Sequence, residues 1–258
     1  MKLFPTIRQY PISFRTKATG MLVAGLASLG VMESRAALIA NAIPGVTGFA
    51  FHQGDSADPN GDGGLNNLTN GDGLTVGNLN DPSTWVHDSA WQTGWQGNGA
   101  FTPNSAGAGA ALTPGAWYIA DLGSATSNLS AMHIWNVREV LDRGTRNVDI
   151  FYAVAPVVPF ATNSAYDFNS GGWTSLQTNH TIPQATGGGT DSDDVVSLSG
   201  IASARYIGMR INSNYNSNFR TGFAEIQFTT VPEPASTGLL LLGGCSLLAR
   251  RRRVVHPE

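Results

Sequence analysis

Three short runs of aromatic and β-branched residues crowd into the middle of the chain: residues 117–121 (WYIAD), 132–135 (MHIW) and 148–152 (VDIFY). Each is bounded by Gly, Asn, Ser or Asp, the residues that set turns, so the stretch reads as half-buried strands joined by tight connections. The pattern returns near the end. Residues 205–211 (RYIGMRI) alternate, residues 222–229 close the series, and the asparagine-rich residues 212–218 between them read as a hairpin loop. Weaker strand signals lie at 46–52, 173–177 and 195–198, while 53–80 and 97–115 are rich in Gly, Asp, Asn and Ala and read as loops.

Charge divides the chain more sharply than its overall net charge of −3 suggests. Both lysines, Lys2 and Lys17, precede the strand-like part, and four arginines, Arg250, Arg251, Arg252 and Arg253, follow it. Between Ala37 and Thr230 six arginines stand against fifteen acidic residues, a formal charge of −9. An acidic, lysine-free surface argues against nucleic-acid binding, which draws its affinity from neutralising phosphates, and suits cations or neutral sugars. The single cysteine, Cys245, lies in a C-terminal apolar run, so the strands hold no disulfide, zinc thiolate or cysteine nucleophile. Stability has to come from burial.

The order W-Y-I-A-D-L-G, then I-W-N, then R-G-T-R-N-V-D-I-F-Y-A resembles the discoidin and coagulation-factor type C (galactose-binding-like) family, and ARYIGMRINSNYNSNFRTGFAEIQF resembles its last two strands. The resemblance covers about the middle two-thirds of the chain. It implies an all-β fold, an antiparallel β-sandwich of jelly-roll type, over residues 38–230. It also implies that loops at one end of the sandwich carry the ligand. In sugar-binding relatives a turn after the first strand and a glutamate near the last strand hold a structural calcium ion. Carried onto N-L-T-N-G-D-G-L (67–74) and G-F-A-E-I-Q-F (222–228), this implicates Asn70, Asp72 and Glu225. Asn70 stands where an aspartate is common, which lowers the ligand charge. Read from the residues alone, the same segment is an Asn-Gly turn with a glutamate satisfied by an arginine.

Two further loop features invite a functional reading. Asp58, Asn60 and Asp62 with Gly63 resemble the start of an EF-hand-type loop, but Thr69 stands where the bidentate acid belongs, so a plain polar loop is the competing reading. Trp85, Trp91 and Trp95 follow in a run with His87 and Asp88. Flat apolar rings beside polar groups are how sugar sites stack pyranose faces, so Trp91 and Trp95 are expected to face a ligand and Trp85 the core. Asn136 and Arg138, in the loop after the second central strand, complete the expected ligand set. Arg143 or Arg146 paired with Glu139, Asp142 or Asp149 is the structural alternative there.

Both ends read as addresses. Lys2, Arg8, Arg15 and Lys17 precede an apolar run at 20–32 and small residues at 34–37, the form of a signal peptide over residues 1–37. Pro232, Glu233 and Pro234 introduce an apolar run at 235–249, followed by Arg250 to Arg253. This resembles the PEP-CTERM sorting signal, also called the ice-binding protein C-terminal domain, over residues 231–254. The resemblance implies a transmembrane helix at 235–249, a transient inner-membrane intermediate with the arginines cytoplasmic, processing by an exosortase, and delivery to the cell surface or extracellular matrix.

The five histidines show no metal-ligand spacing, and no nucleophile-elbow, zincin or phosphate-loop motif is present. Asp191, Asp193 and Asp194 offer carboxylates, but crowded into one Gly-rich turn they read as too loosely held for acid-base work. The expected protein is therefore an exported binding module and not an enzyme. Its expected partner is a carbohydrate such as an exopolysaccharide. The alternatives are a structural surface protein without a small ligand and an ice-binding protein, the latter lacking a regular Thr-x-Thr array.

Overall fold

The computed structural model describes residues 39–52, 54, 58–98, 111–187, 193–217 and 220–232. Described strands are β1 (Thr47–Ala50), β2 (Leu74–Thr75), β3 (Val86–His87), β4 (Trp95–Asn98), β5 (Ala111–Thr126), β6 (Leu129–Asn136), β7 (Thr145–Ala153), β8 (Thr174–Thr181), β9 (Asp194–Ser197), β10 (Ala204–Asn214) and β11 (Arg220–Thr230). Five form one sheet in the order β1-β5-β10-β7-β8, four another in the order β4-β11-β6-β9, and β2 pairs with β3. All of these pairings are antiparallel. The expected sandwich is what forms. The expected signal peptide and its helix, Glu233, Pro234, the apolar run at 235–249, Arg250 to Arg253 and Asp191 lie outside the described residues.

Between the sheets, Tyr118 from one packs on Trp95 and Phe223 from the other, inside a cluster that also takes Ile134, Ile150, Met209 and Phe228. The outer face of the five-stranded sheet is buried as well. The connection from β7 to β8 folds back over it, stacking Phe168 on Phe151 at 4.6 Å and placing Phe160 against Phe49 and Tyr206. Trp117 donates its indole N–H to the Ser164 carbonyl at 2.9 Å. Burial on both faces is why β5 reads as an unbroken apolar run where a half-exposed strand would alternate. Gly208 is needed beneath this layer, since a Cβ there would lie 2.3 Å from the Phe168 ring.

β5 begins well inside the stretch expected as loop. Its ladder to β10 breaks register between Ile211 and Ser213, which pair with Ala116 and Ala111. The four-stranded sheet has its own outer layer: Trp85, Trp135, Ala224 and Ile39 pack together, with the Trp135 indole N–H on the Trp85 carbonyl at 3.2 Å. Trp85 is fully buried, as expected.

Because β6 and β7 belong to different sheets, as do β8 and β9, and β10 and β11, their connections cross the same end of the sandwich. Tyr215 donates its backbone N–H to Gly144 and Ser217 to Asp142, so the β10–β11 connection is tied to the β6–β7 connection. The candidate site is built at this end.

Candidate functional site

The turn at residues 70–73 is closed by its own side chains. Asn70 Oδ1 accepts the Asp72 N–H at 2.8 Å, Asn70 Nδ2 donates to Asp72 Oδ2 at 3.1 Å, and Gly71 and Gly73 take positive φ values of 81° and 83°. The turn sits on the outer face of the four-stranded sheet, where the Gly71 N–H donates to Glu225 Oε1 at 3.1 Å. Gln227 Nε2 donates to the same oxygen at 3.2 Å, and Gln227 Oε1 accepts the Ile39 N–H at 3.1 Å. The donors on Glu225 are thus a backbone amide and a glutamine, where the residue reading expected an arginine.

Glu225 is completely buried, and its Oε2 has no hydrogen-bond partner. Burial pushes its carboxyl well above the usual range, the hydrogen bonds from Gln227 and Gly71 pull it back in part, and the nearby negative charge of Asp72 adds to the rise. The three residues expected as metal ligands therefore meet: Glu225 inside, Asn70 and Asp72 exposed at the mouth. An orphaned carboxylate oxygen beside a second carboxylate and an amide fits a hard cation, whose charge would offset the burial penalty. No group of three or more His, Cys, Asp or Glu side chains among the described residues is arranged for a metal, so amide and carbonyl oxygens or water would complete the shell. The Asp58–Asp62 loop is engaged internally, Asp58 Oδ1 taking the Asn60 N–H at 3.0 Å and Asn60 Oδ1 the Asn66 amide at 2.9 Å.

The residues expected to face a ligand separate into two groups. Trp95 does not face solvent; it is wholly buried between Phe51, Tyr118 and Phe223, with its indole N–H on the His52 carbonyl at 2.9 Å. Strand alternation decides this, since β4 pairs Trp95 with Phe223 and turns its ring inward. Asn136 is likewise a frame residue. Its Nδ2 donates to the carbonyls of Thr145 and Pro183 at 2.8 and 2.9 Å, and its Oδ1 accepts the Val137 N–H at 3.0 Å. Arg138 is buried, and its guanidinium donates to the His87 carbonyl. His87 is buried too, and desolvation holds its pKa below the usual histidine value.

Trp91 alone of the expected set is open, at 37% exposure, with its ring lying over Gly63. It borders a shallow groove with Asp88, Gln96, Val137, Arg138 and Glu139. Here the sequence reading missed a network. Gln96 donates to Glu139 Oε2 at 2.9 Å, Arg143 donates to Gln96 Oε1 at 3.0 Å, and Arg143 lies 3.5 Å from Glu139 Oε1. The Arg143–Glu139 pairing was anticipated as structure, but Gln96 bordered a stretch read as loop. At about 10 Å³ the groove encloses nothing, so a ligand would lie across it as on a platform.

Arg138 also lines a larger cleft of about 310 Å³ between the end of β6 and the β8–β9 connection. Asp193 and Asp194 line it, and each is fixed by a histidine from a different sheet. His133 Nδ1 lies 2.5 Å from Asp193 Oδ2, and His180 Nε2 lies 2.6 Å from Asp194 Oδ2. Asp193 and Asp194 each have a histidine partner, a contact that the expectation of a loosely held turn did not include.

No family model matches this chain, and no curated protein matches it. Among solved structures it resembles the lectin domain of lectinolysin complexed with Lewis B antigen, with a TM-score of 0.41 at 14% identity over 74% of this chain and 96% of that one. It resembles the family 32 CBM from C. perfringens NanJ in complex with galactose, with a TM-score of 0.40 at 14% identity over 73% of this chain and 97% of that one. A mutant of chitosan-binding module 1 from a Paenibacillus sp. IK-5 chitosanase/glucanase gives a TM-score of 0.39 at 12% identity over 71% and 92%.

Proposed function

We propose that this chain is an exported glycan-binding module that takes a saccharide across the groove beside Trp91. One observation carries the reading: an exposed indole stands next to the Gln96–Glu139–Arg143 network on the loop-bearing end of the sandwich. The indole offers a flat apolar face with few rotamers to freeze, suited to the C–H face of a pyranose, while the network presents carboxylate acceptors and guanidinium donors to hydroxyls. Glu139 and Arg143 are 28% and 26% exposed, so both are reachable yet held by one another and by Gln96. Preorganisation of that kind lowers the entropy cost of binding.

Asn70, Asp72 and Glu225 would hold a structural calcium ion in this reading. Bound there, the ion supplies charge neutralisation for Glu225 and locks the turn to β11. The signal-like N-terminus and the Pro232-Glu233-Pro234 motif with its apolar run and arginines support export, exosortase processing and a final place at the cell surface or in the extracellular matrix, where the cell's own exopolysaccharide is the expected partner.

The test is a glycan array and an exopolysaccharide pull-down with the wild type beside Trp91→Ala. Retention that Trp91→Ala removes supports the reading. Wild-type retention no greater than that of Trp91→Ala would overturn it and leave a structural surface protein.

A further inference from the structure

We propose that the cleft between the end of β6 and the β8–β9 connection is a second saccharide site, selective for amino sugars. The proposal stands apart from the Trp91 groove, with which the cleft shares only Arg138 in its lining. Its volume of about 310 Å³ lies at the small end of the range for ligand sites, where one sugar ring would fit and a long aromatic ligand would not.

The chemistry of the walls narrows the ligand. Ile134, Ile182, Pro183 and Ala185 give apolar area for a ring face. Apart from the Arg138 guanidinium, which donates to the His87 carbonyl, the polar groups on offer are acceptors. Asn136 is fully engaged by Thr145, Pro183 and Val137, and Gln184 Nε2 is already on the Leu141 carbonyl at 3.0 Å. Asp193 is 1% exposed at its side chain; its Oδ2 meets His133, while its Oδ1 has no hydrogen-bond partner. A buried carboxylate oxygen without a donor is costly, and a ligand that brings an N–H or O–H repays that cost on binding.

Charge points the same way. Among the described lining residues, Asp193 and Asp194 against Arg138 leave one net negative charge, so an anionic sugar is disfavoured and one ammonium group is matched. A divalent metal asks for more, and among the described residues no group of three or more acidic, histidine or cysteine side chains is arranged to hold one. An ammonium needs only one or two carboxylates at hydrogen-bond distance. His133 and His180 hold both carboxylates in place from behind, so neither has to be ordered at the moment of binding.

The experiment is calorimetric titration of the full chain at neutral pH with glucosamine oligosaccharides and with N-acetylglucosamine oligosaccharides of the same length. Wild type, Asp193→Asn, Thr186→Trp and Trp91→Ala are compared. Thr186 is exposed on the cleft rim, so Thr186→Trp fills the cleft without touching the core and decides the matter where Asp193→Asn fails to fold. The expected result is tighter binding of the free-amine oligomer, weakened about tenfold to a hundredfold by Asp193→Asn. Thr186→Trp abolishes that binding and Trp91→Ala leaves it unchanged. Equal binding of the two oligomers, no binding, survival of binding in Thr186→Trp, or indifference to a folded Asp193→Asn would each overturn the proposal. Loss in Trp91→Ala alone assigns the ligand to the groove and overturns it as well.

Discussion

Gly71 donates its backbone N–H to Glu225 Oε1 at 3.1 Å across a separation of 154 residues. One bond thus fastens the turn after the first strand to the strand that closes the sandwich, and it leaves Glu225 Oε2 buried without a donor. Calcium at a hundred times its dissociation constant should therefore raise unfolding stability by about 2.7 kcal/mol, provided the unfolded chain does not bind it. Thermal or urea unfolding with calcium and with excess chelator measures this. Glu225→Gln and Asp72→Ala should each remove the calcium effect. A shift that survives Glu225→Gln would place the ion elsewhere.

The same carboxyl predicts an unusual pH profile for the chelated protein. Burial raises the folded-state pKa of Glu225 above the unfolded value of about 4.3. Its contribution is fully present below about pH 4.3 and is lost as pH rises through the folded value, so stability should fall as pH climbs from there toward neutrality. Glu225→Gln keeps an acceptor for the Gly71 N–H, should flatten that limb, and should be the more stable form in chelator at neutral pH. Urea midpoints across pH decide it, and a wild-type profile that rises steadily to neutrality would count against a buried, metal-free Glu225.

On the acid side the sign reverses. The hydrogen bonds and charge of Arg205 hold Asp121 below the usual range; at Asp149 burial pushes upward but is outweighed by the Asn179 N–H and by Arg210. Depressed carboxyls stabilise above the unfolded value of about 3.9 and lose that contribution as pH falls through the folded values. Arg210→Ala should shift the acid-unfolding midpoint upward. A midpoint unmoved in Arg210→Ala would show the pair to be thermodynamically silent.

Two tryptophans four residues apart should behave oppositely. Trp95→Ala empties the core beneath Phe51, Tyr118 and Phe223 and should cost about 3–5 kcal/mol. Trp91→Ala removes a ring that is 37% exposed, should cost less than about 1 kcal/mol, and should abolish glycan retention. Chemical denaturation of both variants, run beside the pull-down, separates the roles. Retention intact in Trp91→Ala would remove the platform.

Much of this was legible because strands carry their own signal. The runs at 117–121, 132–135 and 148–152 all lie within strands, and the turn and glutamate implied by family resemblance do meet in space. What stayed hidden depends on pairing between distant segments. Whether Trp95 or Trp91 faces outward is settled by β4 pairing with β11, and β4 lies at the edge of a stretch whose glycines read as loop. Asp193 and Asp194 looked loose because His133 and His180, which pin them, are 60 and 14 residues away and show no periodic relation to them. Asn136 looked like a loop-end ligand because a buried Asn and an exposed one read alike until their hydrogen bonds are counted.

That last residue yields a prediction separating position from contact. Asn136 bonds to Thr145 and Pro183, joining the end of β6 to the start of β7 and to the β8–β9 connection, and the Gly144 backbone packs so closely that a Cβ there would lie 2.7 Å from Asn136 Oδ1. Asn136→Ala leaves the buried Thr145 carbonyl, the half-buried Pro183 carbonyl and the Val137 N–H without their partner and should cost about 2–4 kcal/mol. It should also weaken glycan binding without touching the ligand. Hydrogen exchange tells the two routes apart: in Asn136→Ala, amides at residues 137–144 and 182–187 should exchange faster together, whereas Trp91→Ala should leave both segments protected. Faster exchange in only one of them would mean that Asn136 does not couple the groove to the cleft.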